Sequence, residues 1–245
     1  MVKKYKYAVI GKNWGTKINS ILLQLNKDSL VFDLDYKKIN LKDYFFELKN
    51  FILENKIDII WLAIPPKNHY KLGKFILECN TNLIIEKPIL FNRYQKKIIN
   101  ALLNKKKLFL SVHFEYIFLK DLLLFNKNLQ FDSIEYIFNH INKKKSLSAT
   151  LDLGIHLMAI KKLYFDNINN YKIQVAFNAK NKRQINFKLD NKLVYKINFT
   201  KSKEKIIQAF IKYYETKVMK NIENKLDLNF SYSVYKELNL NKNQK

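Results

Sequence analysis

Asp152-Leu153-Gly154-Ile155-His156 sets a carboxylate four residues before an imidazole. On a helix that spacing puts both on one face. An imidazole carries protons near neutral pH, and a carboxylate can orient both it and a substrate. Gly154 between them costs about 1 kcal/mol relative to alanine inside a helix, which suits close packing or a cofactor's approach. Alone, the pair reads equally as a capping Asp and a core His. Lys87 is the second chemical group, in Glu86-Lys87-Pro88 directly after the apolar run Leu83-Ile84-Ile85. In a doubly wound sheet, ligands bind beyond the carboxyl ends of the strands, so a lysine there points into the crevice. Pro88 fixes the chain beyond it and admits a cis bond. Alone, Lys87 reads equally as one more surface lysine.

Two further segments concern a ligand's phosphates and its fit. Gly11-Lys12-Asn13-Trp14-Gly15-Thr16 follows the first apolar run and precedes a helical pattern. A dinucleotide-binding turn requires small or left-handed residues there, because backbone must approach the pyrophosphate and a helix must aim its free amides at it. Asn13 stands where a second glycine is usual, and Asn tolerates left-handed backbone. An acidic residue about 20 positions on accepts the adenosine ribose hydroxyls, and Asp33 and Asp35 lie there. The turn alone also reads as an ordinary strand-to-helix connection. Pro65-Pro66 ends the buried run Ile57 to Ile64, and His69 follows at a helix start. His69 alone reads as a residue that hydrogen-bonds locally.

These segments need a scaffold that lines them up. Short apolar runs alternate with helical patterns through residue 112, as in a parallel sheet with crossover helices. Strands are expected at 5–10, 29–32, 57–64, 82–85 and 107–112, with helices at 16–25, 43–55, 69–79 and 92–104. The fold class expected is α/β: a Rossmann-type doubly wound parallel sheet over 1–112, then a smaller α+β domain over 113–245. In the latter, 171–178, 184–189 and 192–199 alternate apolar and polar residues, and Asp190-Asn191 forms a turn. That pattern reads as a mostly antiparallel sheet with one face on its helices. The expected helices are 151–165 and 202–219, the latter with Ile207, Phe210, Ile211, Tyr214 and Val218 on one stripe.

Composition narrows the function classes. Hydrophobic residues make up 48%, with 18 Phe and 15 Tyr, enough for a packed core. No apolar run approaches the roughly 20 residues of a membrane helix. One cysteine, Cys79, permits neither an internal disulfide nor a Cys/His metal cluster. With no signal-peptide pattern at the N-terminus, a cytoplasmic protein is expected. The net charge of +24 comes from lysines spread over the whole chain. Lys, Asn, Ile, Phe and Tyr are abundant together, as compositional drift produces, and no nucleic-acid-binding motif accompanies the charge. No dedicated nucleic-acid or membrane partner is expected.

Taken together, Pro65-Pro66 with His69, the tripeptide Glu86-Lys87-Pro88 and Asp152-Leu153-Gly154-Ile155-His156 resemble the Gfo/Idh/MocA family of NAD(P)-dependent oxidoreductases. The resemblance spans nearly the whole chain and marks it as a short member. It implies hydride transfer between nicotinamide and a carbinol or ketone carbon of a sugar, cyclitol or nucleotide sugar. It implies Lys87, Asp152 and His156 as catalytic residues. The implied cofactor-binding set is Gly11, Asn13, Trp14, Gly15, Thr16, Asp33, Pro65, Pro66, His69, Glu86 and Lys87. NAD is the expected cofactor, because Asp33 repels a 2′-phosphate; NADP becomes possible if Lys37 and Lys38 offset it. The expected partners are a sugar-like small molecule and further copies of the chain. The alternative is a non-catalytic dinucleotide-binding sensor of the same fold.

Overall fold

The structure, a computed structural model, describes residues 4–33, 40–125, 129–140, 148–177, 179–180, 182–198, 203–220 and 226–240. Asp35, Lys37, Lys38 and the tail after Leu240 lie outside the described residues.

The N-terminal sheet comprises β1 (Lys6–Ile10), β2 (Asp28–Phe32), β3 (Ile59–Leu62), β4 (Asn82–Glu86) and β5 (Leu110–His113). Its strand order is β2-β1-β3-β4-β5, and every pairing is parallel. The crossovers are α1 (Trp14–Gln24), α2 (Leu41–Glu54), α3 (His69–Glu78) and α4 (Arg93–Lys106). β3 and β5 are buried at every residue, and β1 and β4 at all but the first. Strands covered on both faces need such continuous apolar runs. Each helix supplies a stripe at helical spacing: Ile18, Ile21 and Leu22 from α1, Tyr44, Leu48 and Ile52 from α2, Leu72 and Ile76 from α3. Asn40 caps α2, and Asn92 forms a capping box with Gln95 on α4.

The chain divides into two compact units, Met1–His113 with Tyr213–Asn229, and Phe114–Lys212 with Phe230–Lys245. A single cut after residue 112 therefore misses a returning segment. Hydrogen bonds explain the return. Tyr7 Oη donates to Glu215 Oε1 at 2.7 Å, and Lys27 pairs with the same carboxylate at 2.7 Å. Tyr214, fully buried, donates towards the carbonyls of Phe109 and Leu83 at 3.3 and 3.4 Å. The Val112 amide on β5 donates to Leu226 O at 2.8 Å.

The second unit carries β6 (Ser133–His140), β7 (Tyr171–Phe177), β8 (Lys182–Leu189) and β9 (Lys192–Asn198), in the order β7-β6-β8-β9. Its helices are the short α5 (Lys120–Leu123), α6 (Ile155–Tyr164), the start of α7 (Lys203–Lys220) and most of α8 (Leu228–Leu240). β6–β8 and β8–β9 are antiparallel, whereas β6–β7 is parallel. The parallel pair follows from α6, which lies between β6 and β7 in the chain and makes them a crossover unit. Asp190 and Asn191 both take positive φ, 49° and 61°, the backbone of a two-residue type I′ hairpin turn. Ile134, Tyr136, Phe138, Ile185 and Phe187 share one sheet face and are buried. The opposite face carries a polar network: Glu135 accepts from Gln174 at 2.8 Å and Asn186 at 2.9 Å, and pairs with Lys188 at 3.2 Å.

Candidate active site

In the first unit the site is built where the strand order reverses. Register pairs Ile10 with both Phe32 and Leu62, and Leu62 with Ile85. Asp33, Gly11, Ala63 and Glu86 therefore leave the sheet side by side at its carboxyl edge, and β1 and β3 flank the switch point. Gly11 has φ +137°, and a Cβ there would lie 2.1 Å from the Ala63 carbonyl oxygen. The turn thus permits only glycine, because the Ala63 backbone passes directly against it. Gly15 is buried, and a Cβ on it would meet Val9 Cγ1 at 3.3 Å, so α1 sits close on β1. Asn13 takes φ 55°, doing the work of the absent second glycine. No side chain caps α1, and its first turn holds no acidic residue. Such an end favours an anion over a carboxylate of the protein's own. Trp14 is half-buried on this turn, and Thr16 and Asp33 are exposed beside it in sequence and register.

The loop after β3 is held by a buried ring. His69 is fully buried at the start of α3, and its Nε2 donates to the Ile64 carbonyl at 2.8 Å. Burial holds its pKa down to about 4, against the opposing pull of the Ile64 carbonyl, the Glu86 charge and the Pro88 carbonyl. His69 is neutral at pH 7 and holds the entry to the Pro65-Pro66 loop through the Ile64 carbonyl. Pro65 is exposed and Pro66 half-buried, opening a short 3₁₀ turn, Pro66–Asn68. The Lys87–Pro88 bond is cis.

Glu86 faces inward. Its Oε1 accepts from Trp61 Nε1 at 3.0 Å and from His113 Nδ1 at 2.8 Å, at the end of a strand buried at all but its first residue. Burial pushes the carboxyl up, but the His113 charge and hydrogen bond, the Trp61 N–H and the Lys87 charge outweigh it and hold it below its ordinary value. An ionised carboxylate only accepts, so His113 Nδ1 is the donor of this bond. Three adjacent strand ends are pinned by this network, and Lys87 leaves β4 half-buried directly above it. The residues fit a dinucleotide: a glycine-only cradle, an uncapped helix end and an acid at the end of β2.

In the second unit, Asp152 sits in a π-helical turn, Thr150–Gly154, that leads into α6, and His156 lies in the first turn of α6. Ser148 opens the turn: its Oγ accepts from the Leu151 amide at 3.3 Å, and its carbonyl accepts from Asp152 N at 2.9 Å. π turns are rare and gather at functional sites. Gly154 has ordinary helical backbone, φ −63°, so its conformational freedom is not used. Asp152 and His156 are both buried. The His156 ring meets Tyr116 edge-on at 4.9 Å and Phe138 at 6.1 Å. Burial and the charges of Glu115 and Asp152 raise the Tyr116 phenol well above its ordinary value, with Arg183 opposing them. Nothing in the sequence pairs Trp61 and His113 with Glu86, because both stand inside apolar strands, and Arg183 stands inside an alternating one.

A five-stranded parallel sheet with a glycine turn and an uncapped helix at its switch point defines a dinucleotide-binding Rossmann-type protein. Residues 5–114 match the model of the Gfo/Idh/MocA oxidoreductases, described as "Oxidoreductase family, NAD-binding Rossmann fold". No curated protein sequence matches the chain. Solved structures do. UDP-N-acetylglucosamine 3-dehydrogenase GnnA from Acidithiobacillus ferrooxidans superposes with a TM-score of 0.73 at 14% identity, covering 96% of each chain. The dehydrogenase MviM from Clostridium difficile gives 0.73 at 16% identity, over 99% of this chain and 100% of that one. KijD10, a 3-ketoreductase from Actinomadura kijaniata in complex with TDP-benzene and NADP, gives 0.67 at 11% identity, over 97% and 96%. These neighbours are matched nearly end to end. Among the described residues no helix is long and apolar enough to cross a membrane, and no group of three or more His, Cys, Asp or Glu could hold a metal ion.

Proposed function

We propose that the protein is a dehydrogenase or reductase that acts on a CH–OH group of a sugar, cyclitol or nucleotide sugar, with NAD preferred over NADP. The observation that carries this is the position of Lys87, one residue beyond the level at which Gly11, Ala63 and Glu86 leave the sheet. The dinucleotide, when bound, supplies or accepts the hydride. Residues 11–16 hold its pyrophosphate on backbone amides, and Asp33 takes the adenosine ribose and disfavours a 2′-phosphate. His69 fixes the Pro65-Pro66 loop, and Glu86 fixes the strand end from which Lys87 departs. Lys87 offers its ammonium to the oxygen of the reacting carbon and favours the alkoxide. His156 moves the hydroxyl proton, and Asp152 orients the ring and the substrate. Similarity to a UDP-N-acetylglucosamine 3-dehydrogenase and to a 3-ketoreductase bound to TDP-benzene and NADP supports the substrate class.

We also propose a homo-oligomer. The edge strand β9 exposes Leu193, Val194 and Tyr195, an apolar stretch that a second copy would cover. The enzyme reading is tested by identifying the dinucleotide that co-purifies, then following the reduced-nicotinamide absorbance band across a panel of sugars, cyclitols and nucleotide sugars. Binding of neither NAD(H) nor NADP(H) at millimolar concentration overturns it. Binding without turnover on any of the panel favours the sensor.

A further inference from the structure

Strand β8 alternates. Lys182, Gln184, Asn186 and Lys188 lie on the polar face of the second sheet. Arg183, Ile185 and Phe187 lie on the other, opposite Phe138, Tyr136 and Ile134, where the core is buried. Arg183 is thus the one residue of this inward β8 row that carries a charge. It is half-buried. Its guanidinium stands over the Phe138 ring at 5.1 Å and over the Tyr116 ring at 5.9 Å, and Nη1 donates to Tyr116 Oη at 3.0 Å. Those same two rings are the ones His156 meets.

The guanidinium has five N–H donors, and the Tyr116 bond uses one. Among the described residues no carboxylate forms an ion pair with it. Glu115 and Asp152 act by charge on the Tyr116 phenol, and Arg183 opposes them. A cation drawn partly out of water without a carboxylate is costly unless something completes it. The ring faces compensate only in part. A planar fork with unspent donors matches the two oxygens of a carboxylate or a phosphoryl group, which a lysine does not. Basic residues total 45, and only Arg93 and Arg183 are arginines. Arg93 is exposed at the start of α4, which leaves Arg183 as the fork on a core-facing surface.

We propose that Arg183 is the anion-recognition residue of the substrate site. It binds a carboxylate or phosphoryl oxyanion carried by the substrate and so presents the sugar to His156. The substrate is therefore a charged sugar, a uronate, a sugar phosphate or a nucleotide sugar, rather than a neutral one. This rests on the proposed role of the Asp152–His156 end as the place where substrate reacts.

The test is calorimetric titration of the full-length protein, with and without NAD⁺, using D-glucuronate, D-glucose 6-phosphate, UDP-glucose and D-glucose as probes. Wild type, Arg183→Met and Arg183→Lys are compared. At least one charged probe should bind wild type tenfold or more tightly than glucose, and the preferred probe tells carboxylate from phosphoryl. Arg183→Met should weaken it by about 10–100-fold, the scale of a charged hydrogen-bonded contact. That change lowers the net charge only from +24 to +23, so attraction to the lysine surface is untouched. Equal binding to wild type and Arg183→Met overturns the assignment, as does failure of every charged probe to outbind glucose. If Arg183→Met does not fold, Arg183→Lys decides: a tenfold loss supports the fork, and unchanged affinity overturns it. NAD⁺ titrated alone is a separate readout. Its failure brings down the dinucleotide reading, while the cofactor-free titrations still decide Arg183.

Discussion

His69 couples the first unit's stability to pH. The folded ring is fully buried, with a pKa of about 4, while the unfolded chain titrates it near 6.5. Between those values the unfolded state binds a proton that the native state refuses. Stability therefore falls as pH drops: the loss begins near 6.5 and is complete near 4. At 1.36 kcal/mol per pH unit, the gap is worth about 3 kcal/mol. His69→Gln keeps a donor for the Ile64 carbonyl and cannot titrate. Between pH 7 and 4, wild type should lose about 3 kcal/mol more than His69→Gln. Glu86, held below its ordinary value, adds a loss of its own only at the acid end, and both proteins share it. Urea denaturation followed by tryptophan fluorescence reads this unit, because Trp14 and Trp61 both lie in it. Parallel stability–pH curves for the two proteins would refute the reasoning. So would a wild type whose stability is flat from pH 6.5 to 4.5.

Gly11→Ala forces a Cβ against the Ala63 carbonyl and should weaken NAD(H) at least tenfold by calorimetry; unchanged affinity would show that the turn does not hold the cofactor. Asp33→Ala should weaken NAD(H) more than NADP(H), and equal losses, or none, would remove Asp33 from the ribose. Lys87→Ala and His156→Ala should each cut turnover by about 10²–10⁴-fold once a substrate is known, with dinucleotide affinity less affected for His156→Ala. Full activity in His156→Ala would end its role as the proton carrier. Light scattering at micromolar concentration should give a mass above that of the monomer, and Leu193→Lys should reduce it; a monomeric wild type counts against the oligomer.

The first unit was legible because its signals are local. A strand buried on both faces needs an unbroken apolar run, and Ile57 to Ile64 has one. The glycines and prolines that shape the turns sit beside the strands they end. Asn13 answers the one apparent gap, since positive φ is what the position requires and Asn can adopt it. What stayed hidden is pairing across sequence distance. The Tyr214 stripe of α7 announces burial but not in which core. Only Tyr7, Lys27 and the carbonyls of Leu83 and Phe109 place it in the first unit.

The second unit shows where a period-two pattern stops informing. Alternation from Tyr171 to Phe177 says that a strand has two faces, not which way its neighbour runs. The direction came from another level: a helix between two strands of one sheet makes their pairing a crossover, and α6 was already expected at 151–165. Arg183 is the converse case. Its place in the alternation of β8 assigns it to the same face as Ile185 and Phe187, a conflict between charge and burial that is visible in the sequence. Such conflicts persist where something outside the packed chain resolves them. In this protein the rule points to the same two rings that hold His156.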